Sequence, residues 1–105
     1  MTTTEQNDLL RLKAAAGEAG RLLKTLSNPD RLLLLCQMTQ GEFSVRALEL
    51  MTGIAQPTLS QQLTVLRDEQ LVSTRRDGKQ IFYSIASKEA LAVLQVLYQL
   101  YCPQD

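Results

Sequence analysis

The sequence predicts a mainly α-helical fold of about five helices with one small β-hairpin, and three observations support this class. Apolar residues recur at helical spacing through most of the chain. A short segment alternates with period two around Asp77-Gly78, a pair typical of hairpin turns. The 105 residues are 45% hydrophobic and 21% charged, which suits a globular chain rather than a disordered one. We therefore expect residues 1–105 to form one domain.

The first two helices are predicted from apolar periodicity and from helix caps. Residues 8–25 carry leucines and alanines with a period near 3.6, which predicts the first helix. The segment "LSNPDRLLLLCQM" restarts the pattern, because Ser27 or Asn28 can cap a helix whose first turn holds Pro29. This second helix is predicted to run to about Gln40, ahead of a glycine. Its four consecutive leucines indicate a helix at the centre of the core.

The next segment has the pattern of two helices joined by a tight turn. In "SVRALELMTG", Ser44 is a candidate N-cap and Gly53 a candidate stop, which gives a helix of about two turns. After "TGIA", residues 55–66 predict a second helix with leucines on one face and Pro57 in its first turn. Two helices joined by a short turn that contains Gly are typical of a helix-turn-helix.

A hairpin and a last helix complete the predicted fold. "LVSTRR", "DGK" and "QIFYSI" predict strand, turn and strand, and a hairpin directly after a helix-turn-helix is the two-stranded wing of a winged helix-turn-helix. Ser87 can cap the last helix, "KEALAVLQVLYQLYC", which Pro103 stops. Apolar residues surround this helix, and the first helix has a similar surplus. We therefore expect a homodimer through residues of about 8–25 and 88–101.

Composition and charge exclude several classes of function. The net charge is zero, so an argument for nucleic-acid binding must rest on local features. The longest apolar run is too short to span a bilayer and the N-terminus lacks the pattern of a signal peptide, so we expect a cytoplasmic protein with no membrane partner. The chain has no histidine, which removes the commonest general base and the commonest metal ligand. We expect no enzyme activity, no catalytic residue and no cofactor.

Candidate DNA contacts lie on the second helix of the motif and on the wing. Residues 55–66 carry no charge, and their Gln, Ser and Thr side chains can hydrogen-bond base edges or phosphates. The basic wing residues suit phosphates or the minor groove. The predicted DNA-binding residues are Gln56, Thr58, Ser60, Gln61, Gln62, Arg75, Arg76 and Lys79. The expected partner is double-stranded DNA with a palindromic operator, because a two-fold protein matches two half-sites. The alternatives are a motif that contacts only proteins and a wing that is a solvated turn.

The two cysteines, Cys36 and Cys102, are open to several interpretations. A free Cys is often a core residue, and apolar surroundings would raise the pKa of Cys36. A helix C-terminus gives the Cys102 thiolate no stabilisation, so neither thiol is expected to be a fast peroxide nucleophile. A thiol enzyme is disfavoured further because the chain lacks a Cys-x-x-Cys motif. Structural zinc needs four N or S ligands, so two thiols predict no such site.

The order of these segments resembles the ArsR-type winged-helix repressors over nearly the whole chain. "SQQLTVLRDEQLV" is similar to the recognition helix of that family, and "KQIFYSI" is similar to the second strand of its wing. Metal sensors of the family place a Cys-x-Cys pair before the turn, or carboxylate and histidine ligands on the last helix. Here the first site reads "FSVRAL" and the second lacks histidine. The chain also departs from the family at Gln70, where Gly is common after the recognition helix.

Cys36, Cys102 and "GIAQPTLSQQL" together resemble the BigR/SqrR-type, persulfide-sensing branch of the family. The resemblance implies a dimeric repressor whose thiol sensor is Cys36 with Cys102. It implies that a small persulfide or polysulfide effector joins the two thiols through sulfur, as a disulfide or a longer chain, and releases the protein from DNA. The alternative keeps the fold and makes the same thiols an arsenite or metal site that a dimer mate could complete.

Overall fold

The computed structural model describes residues 3–102, which form five helices and a small antiparallel sheet. The helices in chain order are α1 (Thr3–Leu26), α2 (Pro29–Met38), α3 (Val45–Thr52), α4 (Thr58–Asp68) and α5 (Lys88–Tyr101). The strands are β1 (Phe43–Ser44), β2 (Val72–Asp77) and β3 (Gln80–Ile85). This architecture confirms the predicted winged helix-turn-helix class. Along residues 3–102, no helix combines the length and the apolar character needed to cross a bilayer.

Helix α1 is longer than predicted and projects from the rest of the domain. It begins at Thr3 rather than at residue 8, because the polar residues before the apolar pattern contain no helix breaker and Glu5 suits the positive end of the helix. Every side chain from residue 3 to residue 21 is exposed. Only the C-terminal end of α1 is buried, through Thr25 and Leu26. The domain therefore holds α1 by one end.

Helix α2 is the central core helix that its leucines predicted. Asn28 is the N-cap, since its side-chain oxygen accepts a hydrogen bond of 3.0 Å from the Arg31 amide. The helix ends at Met38 rather than at Gln40, because Thr39 is its C-cap. It contacts α1, α3, α4 and β3, so α2 connects the N-terminal helix to the helix-turn-helix.

Helix α3 has both of its predicted caps, whereas α4 begins later than predicted. The Ser44 hydroxyl accepts a hydrogen bond from the Ala47 amide, and Gly53 ends α3 in the left-handed conformation with φ of 74°. Helix α4 begins at Thr58 rather than at residue 55. Pro57 is its N-cap and lies just before the first helical turn rather than within it. The residues from Ala55 to Pro57 thus belong to the turn of the motif.

The end of α4 accommodates Gln70 at a position where the family commonly has Gly. This residue has φ of 61°, the left-handed conformation that glycine adopts most easily. The Leu71 amide donates to the Leu66 carbonyl at 3.0 Å, and the Gln70 amide donates to the Arg67 carbonyl at 3.0 Å. These two bonds form the Schellman motif that commonly ends helices at Gly. The helix therefore ends as it would with Gly at position 70. The left-handed backbone costs free energy at Gln70, because Gln has a side chain.

The wing is a hairpin that extends into a three-stranded sheet of order β1-β3-β2. Strand β2 lies one residue later than the predicted "LVSTRR", because Asp77 pairs with Gln80 and leaves a two-residue turn. Strand β1 was not predicted, since two residues are too few to show a period. It pairs antiparallel with β3, with Phe43 opposite Tyr83. This pairing ties the segment before α3 to the wing.

Helix α5 packs on the core by one face only. Ser87 caps it as predicted, since its hydroxyl accepts a hydrogen bond of 3.0 Å from the Ala90 amide. Ala90 and Leu94 are buried. Cys102 was predicted within the helix, but it is the C-cap and its backbone is extended. The predicted stop at Pro103 lies outside the described residues.

Candidate nucleic-acid interface and thiol pair

The solvent-facing side of α4 carries uncharged polar residues. Leu59, Leu63 and Leu66 are buried and fix which side of the helix faces the core. Ser60 and Gln61 lie on the opposite side and are exposed, and Thr58 before them is half-buried. This arrangement leaves the middle of α4 open to a DNA groove.

Thr64 shares the exposed side of α4 but was not among the predicted contacts. Its hydroxyl donates a hydrogen bond of 2.8 Å to the Ser60 carbonyl, which leaves the oxygen able to accept. The signal in the sequence was its spacing, because Thr64 follows Ser60 by one turn. Its exposure adds it to the candidate interface.

Two of the predicted glutamine contacts are engaged within the protein. The Gln56 side-chain oxygen accepts hydrogen bonds from the Ser60 amide at 3.1 Å and from the Ser60 hydroxyl at 2.6 Å, so it satisfies a donor of the first turn of α4. Gln62 is half-buried, and its side-chain oxygen accepts a hydrogen bond of 2.9 Å from Arg31 of α2. Gln61 between them is exposed.

The three basic wing residues have different surroundings. The Arg75 guanidinium donates to both carboxylate oxygens of Glu42, with a shortest distance of 2.7 Å, and lies over the Phe82 ring at 4.8 Å from its centroid. Hydrogen bonding from Arg75 lowers the pKa of Glu42 below its ordinary value. Arg76 donates to the Gly78 carbonyl at 3.2 Å. Lys79 is exposed in the turn.

Glu42 is a residue that the sequence analysis missed. It lies in the segment before β1 and has no local pattern, and its partner follows 33 residues later. Because the pair neutralises much of the Arg75 charge, Arg76 and Lys79 are the wing cations better placed for phosphate.

The two cysteines are free thiols, and both are half-buried. Cys36 lies on α2 and packs against the hydrophobic core, and Cys102 follows the last turn of α5. Burial raises the pKa of the Cys36 thiol, and the charge of a Cys102 thiolate raises that pKa further. The first effect was predicted from the apolar surroundings. The second indicates that the two sulfurs are near enough to interact electrostatically.

A groove of about 530 Å³ opens beside Cys36 between α2 and α5. Its lining combines apolar atoms with amide and hydroxyl groups and contains no charged side chain. The lining residues are Cys36, Thr39, Gln40, Leu94, Gln95, Tyr98 and Gln99. A small molecule has space to reach the Cys36 sulfur by this route.

The side chains placed by the structure do not assemble a metal site within one chain. Among residues 3–102, no three His, Cys, Asp or Glu side chains converge in a way that could hold a metal ion. A metal at the thiols would need ligands from elsewhere, since two sulfurs alone do not complete a tetrahedral site.

Comparisons with known proteins agree with this geometry. Residues 28–74 match the family described as bacterial regulatory protein, arsR family. The chain is 50% identical over 94 residues to the biofilm growth-associated repressor of Xylella fastidiosa, across 90% of this chain and 82% of that protein. It is also 50% identical to the biofilm growth-associated repressor of Agrobacterium fabrum, across 90% of this chain and 80% of that protein. The crystal structure of the transcriptional repressor BigR from Xylella fastidiosa is similar with a TM-score of 0.83 and 47% identity, across 99% of this chain and 100% of that one.

Proposed function

Since the chain belongs to the arsR family of bacterial regulatory proteins, we propose that it is a DNA-binding transcriptional repressor whose two thiols control its release from DNA. In this proposal a homodimer binds a palindromic operator in the reduced state. A small persulfide or polysulfide then joins Cys36 and Cys102 through sulfur. The observation that carries the proposal is a pair of free, half-buried thiols, one on the central helix and one at the end of α5, with a groove between α2 and α5 that opens beside Cys36.

DNA recognition is assigned to α4 and to the wing. Ser60 and Gln61 present uncharged hydrogen-bonding groups of the kind that read base edges in the major groove. Arg76 and Lys79 extend from the wing toward phosphates or the minor groove. No carboxylate lies between residues 55 and 66 to repel the backbone of DNA.

The dimer is assigned to α1 and α5, because these helices leave large apolar side chains exposed. Those on α1 are Leu9, Leu10, Leu12 and Leu23, and those on α5 are Val96, Tyr98, Leu100 and Tyr101. Exposed apolar surface of this extent on two helices is typical of a protein interface. A second copy of the chain covers both helices with one two-fold contact.

The proposed reaction of the two thiols needs no reagent other than the persulfide. The Cys36 thiolate attacks the outer sulfur of a persulfide R–S–SH, the S–S bond of the reagent breaks, and the thiol R–SH leaves with a proton. The product is a Cys36 persulfide, which is attacked by the Cys102 thiolate to give a disulfide and HS⁻. If both cysteines first accept a sulfur, their persulfides condense to a trisulfide and release H₂S.

The length of a sulfur bridge supports a persulfide effector over a peroxide. The raised pKa of Cys36 does not distinguish the two reagents, because peroxide and persulfide both react with the thiolate. A persulfide delivers the sulfur that lengthens the bridge, and a chain of three sulfurs spans a distance that an ordinary disulfide does not. Selectivity then follows from the reagent and from geometry.

A bridge between the two thiols is expected to weaken DNA binding by changing the dimer contact. A covalent link between Cys36 and Cys102 fixes the end of α5 to α2. Because α5 contributes to the proposed dimer contact, a change in its packing alters the spacing of the two α4 helices. Half-sites in successive major grooves tolerate little change in that spacing.

The test compares reduced and persulfide-treated protein on a duplex selected by the reduced wild-type protein from random sequences. We expect the treated wild type to lose affinity and to gain the mass of a bridge between Cys36 and Cys102. Cys36→Ser and Cys102→Ser should bind the duplex as the reduced wild type does and should not respond. Parallel samples treated with hydrogen peroxide, with arsenite and with zinc test the alternative effectors. A Cys102→Ser protein that still leaves DNA on persulfide treatment, with no linking mass in the wild type, contradicts the mechanism.

A further inference from the structure

Arg31 connects three helices at one point near the N-terminus of α2. Its Nε donates a hydrogen bond of 2.6 Å to the Thr25 carbonyl at the end of α1. Its Nη1 donates a hydrogen bond of 2.9 Å to the side-chain oxygen of Gln62 on α4. The Arg31 amide is fixed in turn by the Asn28 cap. One partly buried guanidinium therefore joins the proposed dimer helix, the helix that carries Cys36, and the helix that faces DNA.

A second arginine holds the same side of α4. The Arg21 guanidinium on α1 donates to both carboxylate oxygens of Glu69, with a shortest distance of 2.6 Å. Gln62 on α4 and Glu69, the C-cap of that helix, lie two turns apart on the same side, because side chains spaced by seven residues align. The hydroxyl of Thr25 bonds back to the Arg21 carbonyl, which joins the two contacts through the last turn of α1.

From this geometry we infer that Gln62 is a positioning residue, which orients α4 on the scaffold through Arg31 instead of reading a base. The sequence pattern grouped Gln62 with Gln61 as DNA contacts. The structure separates them, because Gln61 is exposed whereas Gln62 is half-buried with its side-chain oxygen on Arg31. The inference goes beyond the proposed function and rests on it only for the DNA measurement.

The two roles predict different effects of the same kind of substitution. Loss of a base contact relaxes sequence preference at one position of the operator. Loss of a positioning contact leaves every base preference unchanged and weakens binding as a whole, because α4 then samples orientations that do not fit the groove. Replacing Gln62 by Met removes the hydrogen bond from Arg31. The net charge of the protein stays the same, because Gln and Met are both uncharged.

The decisive variant is Gln62→Glu, with Gln61→Glu as the matched control. A carboxylate at position 62 still accepts from Arg31 and keeps α4 in place, so operator affinity should stay within about threefold of the wild type. A carboxylate at position 61 faces DNA and should weaken binding by about tenfold or more, because it repels phosphate. Gln62→Met should lose about tenfold, the scale of one hydrogen bond to a charged group, evenly across single-base variants of the selected duplex.

Hydrogen exchange gives a measurement that does not need DNA. Backbone amides of α4 should exchange faster in Gln62→Met than in the wild type, whereas Gln61→Ala should leave exchange unchanged. If Gln62→Glu loses as much operator affinity as Gln61→Glu, then Gln62 faces DNA and the inference is wrong. If Gln62→Met matches the wild type in both affinity and exchange, the Arg31 contact has no positioning role and the inference is again wrong.

Persulfide treatment of the same variants separates this inference from the proposed switch. Gln62→Met should still form the bridge between Cys36 and Cys102, which mass spectrometry measures. Bridging should lower its operator affinity by a smaller factor than in the wild type. A wild-type protein that does not respond to persulfide refutes the switch. The comparison of Gln62→Glu with Gln61→Glu on reduced protein still decides the role of Gln62.

Discussion

Cys36 has surroundings that restrain its reactivity rather than enhance it. The thiol lies half-buried against the core. Burial raises the pKa of Cys36 first, and the negative charge of Cys102 adds to the effect. A thiol with a raised pKa is slow with every reagent that needs the thiolate, so the proposed selectivity for a persulfide rests on the sulfur that the reagent adds.

This raised pKa predicts how alkylation of Cys36 depends on pH. Thiolate forms only as the pH passes the raised pKa, so the alkylation rate in Cys102→Ser should keep rising at a pH where N-acetylcysteine has already reached its plateau. The pKa of Cys36 should be somewhat higher in the wild type, since the Cys102 charge is then present. Iodoacetamide rates measured by mass spectrometry against pH provide the check. A plateau at lower pH than that of N-acetylcysteine would show an activated thiol instead.

Gln70 gives a second prediction at a single residue. Its left-handed backbone is costly for a residue with a Cβ, so Gln70→Gly should raise the free energy of unfolding by about 1 kcal/mol. Denaturant unfolding of both proteins measures the difference. The control is Gln95→Gly within α5, which should lower the free energy of unfolding by about 1 kcal/mol, because glycine disfavours a helix interior. Equal losses from both substitutions would contradict the assigned conformation.

The three basic residues of the wing make different contacts, although they lie close together in the sequence. Arg75 is held by Glu42 and by the Phe82 ring, and it lies opposite Phe82 in the hairpin. Arg76 and Lys79 lie nearer the tip and are exposed. The first residue therefore shapes the wing, and the other two are available to phosphate.

This difference predicts unequal salt dependence of DNA binding. Arg76→Ala and Lys79→Ala should each lower the slope of log affinity against log salt by about one, the value for one phosphate contact. Arg75→Ala should change the slope less, because Glu42 already neutralises the Arg75 charge. Titrations of the selected duplex at several salt concentrations measure the three slopes. A triple substitution that leaves affinity and slope unchanged would make the wing purely structural.

The whole molecule is more extended than a compact domain of its length. Its radius of gyration is 16.7 Å, whereas a compact domain of this length has a radius of about 13 Å. The excess comes from α1, which has exposed side chains from residue 3 to residue 21. A helix held by one end is poorly stabilised by its own domain, and contact with a partner would stabilise it.

At this scale we predict a homodimer that a charge on either terminal helix disrupts. Leu12→Asp on α1 and Val96→Asp on α5 should shift the protein toward monomer, because each places a carboxylate in an apolar contact. Leu50→Asp on α3 is the control, since Leu50 is 73% exposed but lies on neither terminal helix. Sedimentation at micromolar concentration measures the state of each protein. A wild-type monomer under these conditions would remove the basis for the interface.

Local sequence alone determined most of the elements. The capping side chains of Asn28, Ser44 and Ser87 each bond an amide three residues later, so a short segment contains all that the cap needs. The hairpin follows in the same way from alternation around Asp77-Gly78. The exposed polar face of α4 also followed from residue type and spacing, whereas the choice of Cys36 and Cys102 as candidate thiols came from the family resemblance.

Only the tertiary structure decided which of these polar residues are engaged within the protein. Gln62 accepts from Arg31, 31 residues earlier, and Arg75 donates to Glu42, 33 residues earlier. Strand β1 exists because β3 pairs with it, and the groove beside Cys36 exists because α5 lies next to α2. Periodicity and capping both depend on residues that lie within a few positions of each other in the sequence. Contacts between distant residues depend on how the elements pack, so the sequence pattern alone did not separate the exposed Gln61 from Gln62, which accepts a hydrogen bond from Arg31.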